Sequence, residues 1–558
     1  MAPHFFMCFT LLISAYLITS LQGIVEYDYS APTELPERPL YDGGLLKNQE
    51  VDYQWVRNEW GYRVYVPAFI LPDLVPGTYY TFSSWVKASG GDGNSTVVWA
   101  NVGSGGGSVC GATVIANQGC WSFLKGGFYL NQTLNTSVLH FEDFSGKNIH
   151  IDVASGSLQP FSEEEWVAHQ QEMVAKVRKR ETIVTVVSSQ EQGGVKLQGA
   201  NITVEQISRG FPFGAAISKA ILSNPQYQEW FVRKRFGVTV FENELKWPAT
   251  ERIQGKVNYT IADEMVDFVT KNQILCRGHN VLWQDPNFTP SWVRNLTTSP
   301  DLLRQAAESR VRGVVGRYTD KFIHWDVNNE MLHYAFYEES LRDPNASLEF
   351  YRMAQEIDPN ATLFLNDFKL VESCGQRSNV DAYAAKINEF RRGGIRNLGM
   401  GLEGHFFDSP NPVYTRSVLD KLATLGVPVW ITEADTTGKY GPASQAADLE
   451  KVLRELFSHP SVDGIILWVA MSPAGTCWRM CLTDENFNNT LAGDVVDRLL
   501  GEWYTGTLAG VTDGDGVFSF SGFLGTYKVT IEHPSGNSSW TVISLTKGED
   551  PLHFQIQI

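Results

Sequence analysis

Five glutamates, Glu242, Glu244, Glu330, Glu403 and Glu433, fall at the ends of β-type runs. Amides, imidazoles and indoles fall there with them: Asn243, Lys246 and Trp247, then His279 and Trp283, Asn329, Asn366 and Asp367, His405, Asp435, and Trp468. A protein interior avoids such residues, because a buried carboxylate is costly unless it is paired. Gathered at one end of a sheet, they describe a polar cleft floored by aromatics. Cleavage of a glycosidic bond needs one carboxyl group held neutral to protonate the leaving oxygen, and a second held ionised across the sugar ring. Burial and mutual repulsion separate the two pKa values. Trp faces stack on pyranose rings, while Asn and Lys hydrogen-bond ring hydroxyls. Residue types alone do not choose the pair, since the dipeptide Asn-Glu begins at Asn58, Asn243, Asn329 and Asn388. No Cys–His array has zinc spacing, and neither His279 nor His405 has a His-x-His partner, so neither metal nor cofactor is expected.

The elements that must position these residues lie between 209 and 500. Eight β-type runs, at 211–218, 238–244, 273–283, 323–330, 362–368, 399–406, 427–435 and 463–470, alternate with segments of helical period. One helix opens at Pro300 after Ser299 and sets Leu302, Leu303, Ala306 and Val314 on one face; another aligns Leu449, Val452, Leu453, Leu456 and Phe457. Eight such alternations predict an α/β fold, a (β/α)8 TIM barrel with its site at the C-terminal ends of the strands. An open doubly wound sheet is the rival, but no Gly-x-Gly-x-x-Gly follows the first run. Before the barrel, short alternating runs with Gly-rich turns predict a β-sandwich over 41–160. A charged helix and a β ribbon connect it over 161–208, and strands around Gly514-Asp515-Gly516 predict a C-terminal β appendage over 501–558, packed on the barrel.

The 558 residues are 43% hydrophobic and 19% charged, which excludes a disordered or coiled-coil chain. A net charge of −17 repels phosphate backbones, so no nucleic-acid partner is expected. Residues 1–23 hold no acid and an apolar stretch over 5–18, and read as a secretory signal peptide; a signal anchor is the alternative, with a run short for a membrane span. No later segment is apolar enough to cross a bilayer. A secreted, extracellular or cell-wall glycoprotein with no membrane partner, acting as a monomer, is therefore expected. Sequons at Asn94, Asn131, Asn135, Asn201, Asn258, Asn287, Asn295, Asn345, Asn360, Asn488 and Asn537 agree with export. Six cysteines remain after the leader, and Cys110–Cys120 and Cys477–Cys481 are the expected local bridges, with Cys276 buried in an apolar strand.

At these residues the barrel resembles glycoside hydrolase family 10, the endo-1,4-β-xylanases, in particular the plant branch. Trp325-Asp326-Val327-Asn328-Asn329-Glu330 is similar to the family's acid/base motif and Ile431-Thr432-Glu433-Ala434-Asp435 to its nucleophile motif. Glu242-Asn243-Glu244-Leu245-Lys246-Trp247, Arg277-Gly278-His279 with Trp283, and Gly401-Leu402-Glu403-Gly404-His405 resemble its glycone, third-strand and sixth-strand motifs. The resemblance implies a retaining endo-xylanase acting on xylan or arabinoxylan, with Glu330 as general acid and then base and Glu433 as nucleophile. It further implies that Asn329 binds the 2-hydroxyl and that His405, supported by Asp435, orients Glu433. Glu242, Asn243, Lys246, His279 and Glu403 would line the substrate site, and Trp283, Trp468 and Trp478 would be stacking surfaces. Departures are Gln284-Asp285-Pro286 where His-Ser-Gln is frequent, Ala434 for Leu, Phe368 for Tyr, Glu403 for Gln, and Val-Ala-Met after Trp468. The N-terminal sandwich is similar to carbohydrate-binding module family 22 around Gly119-Cys120-Trp121, Lys125-Gly126-Gly127, Phe141-Glu142 and Ile149 to Val153. This implies xylan contact through Glu142 and exposed rings among Trp55, Trp60, Trp85 and Trp99. A xylan-binding wall protein with little turnover and a xylan endotransglycosylase are the other readings.

Overall fold

A computed structural model describes residues 33–57, 62–90, 95–104, 107–130, 137–144, 149–188, 194–233, 235–375 and 378–558. The leader over 1–23, Trp60, Asn94, Asn131 and Asn135 lie outside the described residues. Strands Phe213–Ile217, Val238–Phe241, Leu275–Trp283, His324–Asn329, Thr362–Phe368, Leu398–Phe406, Val429–Thr436 and Val462–Leu467 form a closed parallel barrel in chain order, and are numbered one to eight. The expected TIM barrel is therefore present. Strands two and eight end three residues earlier than expected, at Phe241 and Leu467, so Glu242 and Trp468 begin loops. No described helix is long and apolar enough to cross a membrane.

The chain divides into two compact units, one of Met1–His169, Asn243–Tyr259 and Arg277–Thr437, the other of Gln170–Glu242, Thr260–Cys276 and Gly438–Ile558. The first holds the N-terminal sandwich. A five-stranded antiparallel sheet, ordered Asp52–Arg57, Arg63–Ile70, Val138–Asp143, Ser95–Ser104 and Gly107–Asn117, faces a three-stranded one of Ser122–Leu130, Thr78–Ser89 and His150–Phe161. Alternate residues from both close on a core that includes Phe69, Tyr80, Phe82, Val98, Leu124 and Phe141. The sandwich is tied to the barrel helices of the same unit. Asn411 caps helix Pro412–Ala423 through the Tyr414 amide, and its own amide donates to the Gly127 carbonyl at 2.9 Å. Lys125 reaches Asp420 at 3.3 Å, and Asp381 accepts from the Ile115 amide at 3.0 Å. A side chain at Gly127 would meet Val413 at 2.3 Å, so glycine permits the close approach.

A disulfide completes this junction and corrects an expectation: Cys110 bonds to Cys374, not to Cys120. Cys110 sits inside the strand Gly107–Asn117, which runs on for seven residues before turning. Extended chain of that length spans roughly 20 Å, whereas bridged Cα atoms lie about 6 Å apart. Cys477 pairs with Cys481, and Cys276 is buried and outside any disulfide.

In the second unit the connector and the tail are not separate pieces. Strand Lys179–Val187 pairs with Val517–Phe523 and, in parallel, with Leu552–Gln557; strand Asn201–Arg209 lies between Thr507–Val511 and Gly525–Glu532, with Ser538–Leu545 outside. These two sheets close on one core of Val184, Val186, Ile202, Val204, Tyr527, Val529 and Ile531. The tail alone would expose that apolar face; the two earlier strands cover it. At the end of helix Glu163–Arg178, the buried Arg178 guanidinium donates to the carbonyls of Phe457, His459 and Val462 at 2.7–2.8 Å.

Replacing Cys374 by Ser should lower the unfolding free energy of the first unit by about 2–4 kcal/mol, the usual worth of a native bridge. Urea titration followed by Trp fluorescence checks this, and an unchanged midpoint would show that the bridge adds nothing.

Candidate active site

Irregularities in the ladders bring the acids together. Between strands six and seven the register shifts at Leu402/Glu403, which sets Glu403 opposite Glu433 and His405 opposite Asp435. Residues two apart share a face, so two acids and a His–Asp pair form a square. Between strands three and four a second shift, after His279, sets Trp283 opposite Asn329. Glu330 follows strand four with φ +60°, a left-handed conformation costly for a side-chain-bearing residue, and its amide donates to the Asn366 carbonyl at 2.9 Å.

Asn366 is the hub. Its Nδ2 donates to Asn329 Oδ1 at 3.1 Å, Glu403 Oε1 at 2.8 Å and Glu433 Oε1 at 3.0 Å, while Oδ1 accepts from Thr432 at 2.6 Å. A Cβ at Gly401 would lie 2.3 Å from Asn366 Oδ1, so glycine there makes room for the amide. Sequence reasoning placed Asn366 at a strand end without giving it a role. The signal was its neighbourhood of strand-end acids, but which acids it would touch depends on register.

Charge is divided sharply among the carboxyl groups. His405 donates from Nδ1 to Asp435 at 2.9 Å, and its Nε2 lies 3.4 Å from Glu433. Burial lowers the pKa of this imidazole, but its bonds to Asp435 and Glu433 outweigh burial and raise it to about 10. Glu433 is buried, which pushes its carboxyl up; the His405 bond, with the charges of His279, His405 and Lys246, overcomes this and holds it at about 2. Burial pushes Glu330 up to about 8; Trp283 Nε1 donates to it at 2.7 Å and works against the rise, while Asp367, Glu433 and Asp285 add to it. Near neutral pH one acid is ionised and the other protonated. Burial, then the charge of Glu433, raises Glu403 well above the ordinary carboxylate range.

The other expected residues fall as follows. His279 donates to Asp326 at 2.8 Å and approaches Glu433 at 4.0 Å; Arg277 holds the other Asp326 oxygen at 2.5 Å. Asn329 is buried and lies 3.4 Å from Glu403 Oε1. Lys246 bonds to the exposed Asn243 at 3.2 Å and sits 4.8 Å from the Trp283 ring centroid. Trp283 was expected to be an open stacking surface, but it is buried, because Phe288 stacks on it at 4.0 Å and Glu330 takes its N–H. Phe288, half exposed, is the aromatic that sequence reasoning missed. In the second unit Glu242 is half-buried and its amide donates to Ile217 at 2.9 Å. Trp468 is buried there, also unlike an open platform, whereas Trp478 is exposed on the loop closed by Cys477–Cys481. In the sandwich Trp85 and Trp99 belong to the interior, and Glu142 is buried with Asn101 and His140; only Trp55 among the described candidates is exposed.

Glu403, His405 and Glu433 offer ligand atoms within 4.8 Å of one another. His405 directs both ring nitrogens at carboxylates and is protonated, which leaves no lone pair for a cation.

A parallel barrel with a neutral and an ionised carboxyl at the ends of strands four and seven defines a barrel glycoside hydrolase. The glycosyl hydrolase family 10 model matches residues 203–494, and the chain belongs to that family. It is 36% identical over 484 residues to endo-1,4-beta-xylanase 5 of Arabidopsis thaliana, covering 85% of this chain and 82% of the relative. To endo-1,4-beta-xylanase 5-like of the same plant it is 34% identical over 550 residues, 95% of this chain and 94% of the relative. Among solved structures, xylanase 10B from Thermotoga petrophila RKU-1 in complex with xylobiose aligns with 23% identity and a TM-score of 0.46, over 52% of this chain and 94% of that one.

Replacing His405 by Ala should raise the pKa of Glu433 by about one unit or more, because its chief hydrogen bond and a cation are lost. Carbon-13 NMR titration of labelled glutamate carboxyls checks this directly, and an unmoved resonance would show that His405 does not hold the charge.

Proposed function

We propose that the protein is a secreted endo-1,4-β-xylanase that cleaves internal bonds of xylan or arabinoxylan with retention, Glu433 acting as nucleophile and Glu330 as general acid and then base. The supporting observation is the opposed setting of two buried carboxyls. Glu433 lies 3.4 Å from the His405 imidazole and takes the Asn366 amide, whereas Glu330, among the described residues, has only the neutral Trp283 N–H at 2.7 Å, so the first is held ionised and the second protonated. Ionised Glu433 attacks the anomeric carbon while Glu330, oriented by the Trp283 N–H, delivers its proton to the leaving oxygen. The leaving chain departs with that proton and a xylosyl ester of Glu433 remains. Glu330, now a carboxylate, takes a proton from water, and the hydroxide equivalent breaks the ester from the same face that the first leaving group left. Asn329 is set to bond the 2-hydroxyl, and His405 with Asp435 and Lys246 balance charge on the nucleophile. Substrate chemistry follows the names of the Arabidopsis relatives, endo-1,4-beta-xylanases, one of which aligns over 95% of this chain.

Export is supported by chemistry on the surface. Asn201, Asn258, Asn287, Asn295, Asn345, Asn360, Asn488 and Asn537, each opening a sequon, are all exposed, and two disulfides link described cysteines. For the sandwich, Trp55 is 60% and Tyr65 55% exposed. Their rings lie 5.1 Å apart, with Tyr53 at 5.4 Å from Tyr65 and stacked near His150, a row of mutually tilted rings that can offer faces to sugars.

Replacing Glu433 by Ala should abolish reducing-sugar release from xylan. Replacing Glu330 by Ala should cost about 10²–10⁴-fold on xylan, the usual worth of acid–base catalysis, yet far less on an aryl xylobioside whose leaving group needs no proton. Equal losses on both substrates would refute the acid role. Because Glu330 must be protonated, kcat/KM should fall above about pH 8, while the depressed Glu433 keeps the acid limb below the usual carboxylate range. Loss of pull-down on insoluble xylan in a Trp55→Ala, Tyr65→Ala variant with intact turnover would support the strip; unchanged pull-down would remove it.

A further inference from the structure

Glu403 is a third carboxyl in the catalytic square, at a position where the resembled family often has Gln. Its surroundings are one-sided. Oε1 accepts from Asn366 Nδ2 at 2.8 Å and from Asn329 Nδ2 at 3.4 Å. Oε2 has no hydrogen-bond partner among the described residues; the nearest cation, His405 Nε2, stands 4.0 Å away and lies closer to Glu433, at 3.4 Å. The acids facing Glu403 are the ionised Glu433 and, beyond it, Glu330, Asp367 and Asp326. The basic groups of the same unit serve others: His405 is bonded to Asp435 and Glu433, His279 to Asp326, and Lys246 lies over Trp283 with its field on Glu433. A buried anion so placed is unbalanced, and a proton on Oε2 removes the imbalance.

We propose that Glu403 works as a neutral carboxylic acid, using Oε1 to fix the amides of Asn329 and Asn366 and the Oε2 hydroxyl as a hydrogen-bond donor to a hydroxyl of the sugar attacked by Glu433. The inference rests on the glycosidase reading above. A protonated acid has the shape of a primary amide and, like it, sets a donor group beside an acceptor oxygen, with one O–H in place of the amide's two N–H. An ionised one would present two acceptors to a site whose substrate hydroxyl already has Glu433 to donate to. Glu403 thus behaves as a titratable substitute for an amide, and its proton must stay in place for the sugar to be held.

The test compares Glu403→Gln with Glu403→Ala in the full chain, with two readouts. An amide reproduces a neutral acid, so Glu403→Gln should lose far less kcat/KM on xylan than Glu403→Ala and leave the basic limb of the pH profile in place. Glu403→Ala removes both the acceptor and the donor and should lose at least about tenfold, the worth of one good hydrogen bond. Infrared difference spectra of the resting protein near neutral pH should show a protonated carboxylic-acid carbonyl that is absent from Glu403→Gln. If Glu403 were ionised, Glu403→Gln would remove a neighbouring negative charge and lower the basic limb by about one unit or more, and no such band would be lost; either result overturns the proposal, as does equal damage from Gln and Ala. The infrared arm requires no turnover. Wild-type protein that shows the band but releases no sugar from xylan refutes the glycosidase reading alone, whereas active protein without the band refutes the role of Glu403 alone.

Discussion

A buried site can hold only as many negative charges as it has cations and donors to match, and that constraint organises this barrel. Glu330, Glu403 and Glu433 feel one another's fields. One imidazolium, His405, is fixed by Asp435 on one side and turned to Glu433 on the other. The carboxyl nearest the cation ionises and the others keep their protons. Division of labour between a nucleophile and an acid is therefore a consequence of where positive charge sits, above all that of His405 beside Glu433. Asp435 matters because it holds that charge in place, and Asn366 because it bonds three groups at once without adding charge.

Backbone irregularity is what makes the arrangement possible. In regular parallel ladders Glu403 would face Thr432; the extra residue in strand seven sets it opposite Glu433. Glu330 stands in a left-handed conformation directly after its strand, a local cost of about 1–3 kcal/mol that the Asn366 carbonyl and the Trp283 indole help to offset. Gly401 leaves the hub amide the space that any side chain would take. Strain and small residues gather at the chemistry.

Much of this was legible in the residues. Strand-end acids stand out because a core avoids them, and the alternation of β and helical periods over 209–500 has few structural solutions. What was not legible depends on register and on distant partners. Nothing local shows that Asn366 faces Glu433, since one bulge decides it. The family resemblance implies an open platform at Trp283; a stacked Phe288 five residues on covers it. Cys110 looked like a partner for Cys120 by nearness in sequence, yet a straight strand separates them and a loop 264 residues away supplies the thiol. The tail looked like an appendage because the strands that complete its core precede the barrel in the chain.

The junction in the first unit changes what the N-terminal sandwich can do. A module on a flexible linker raises the local concentration of a second site without fixing its direction. Here the sandwich is bolted to the helix Pro412–Ala423 and its neighbours by a disulfide, by the buried Lys125 against Asp420, by the Asn411 amide and by the Ile115 amide on Asp381. Tyr79 stacks on Trp166 at 4.8 Å beside Val413 in the same seam. Polar groups buried on both sides are matched one to one, so sliding the sandwich by a single contact would leave several of them unsatisfied. The strip of Trp55, Tyr65 and Tyr53 is therefore held in a set orientation to strands three to seven, within the same unit. Rigidity takes the place that linker length has in a tethered module.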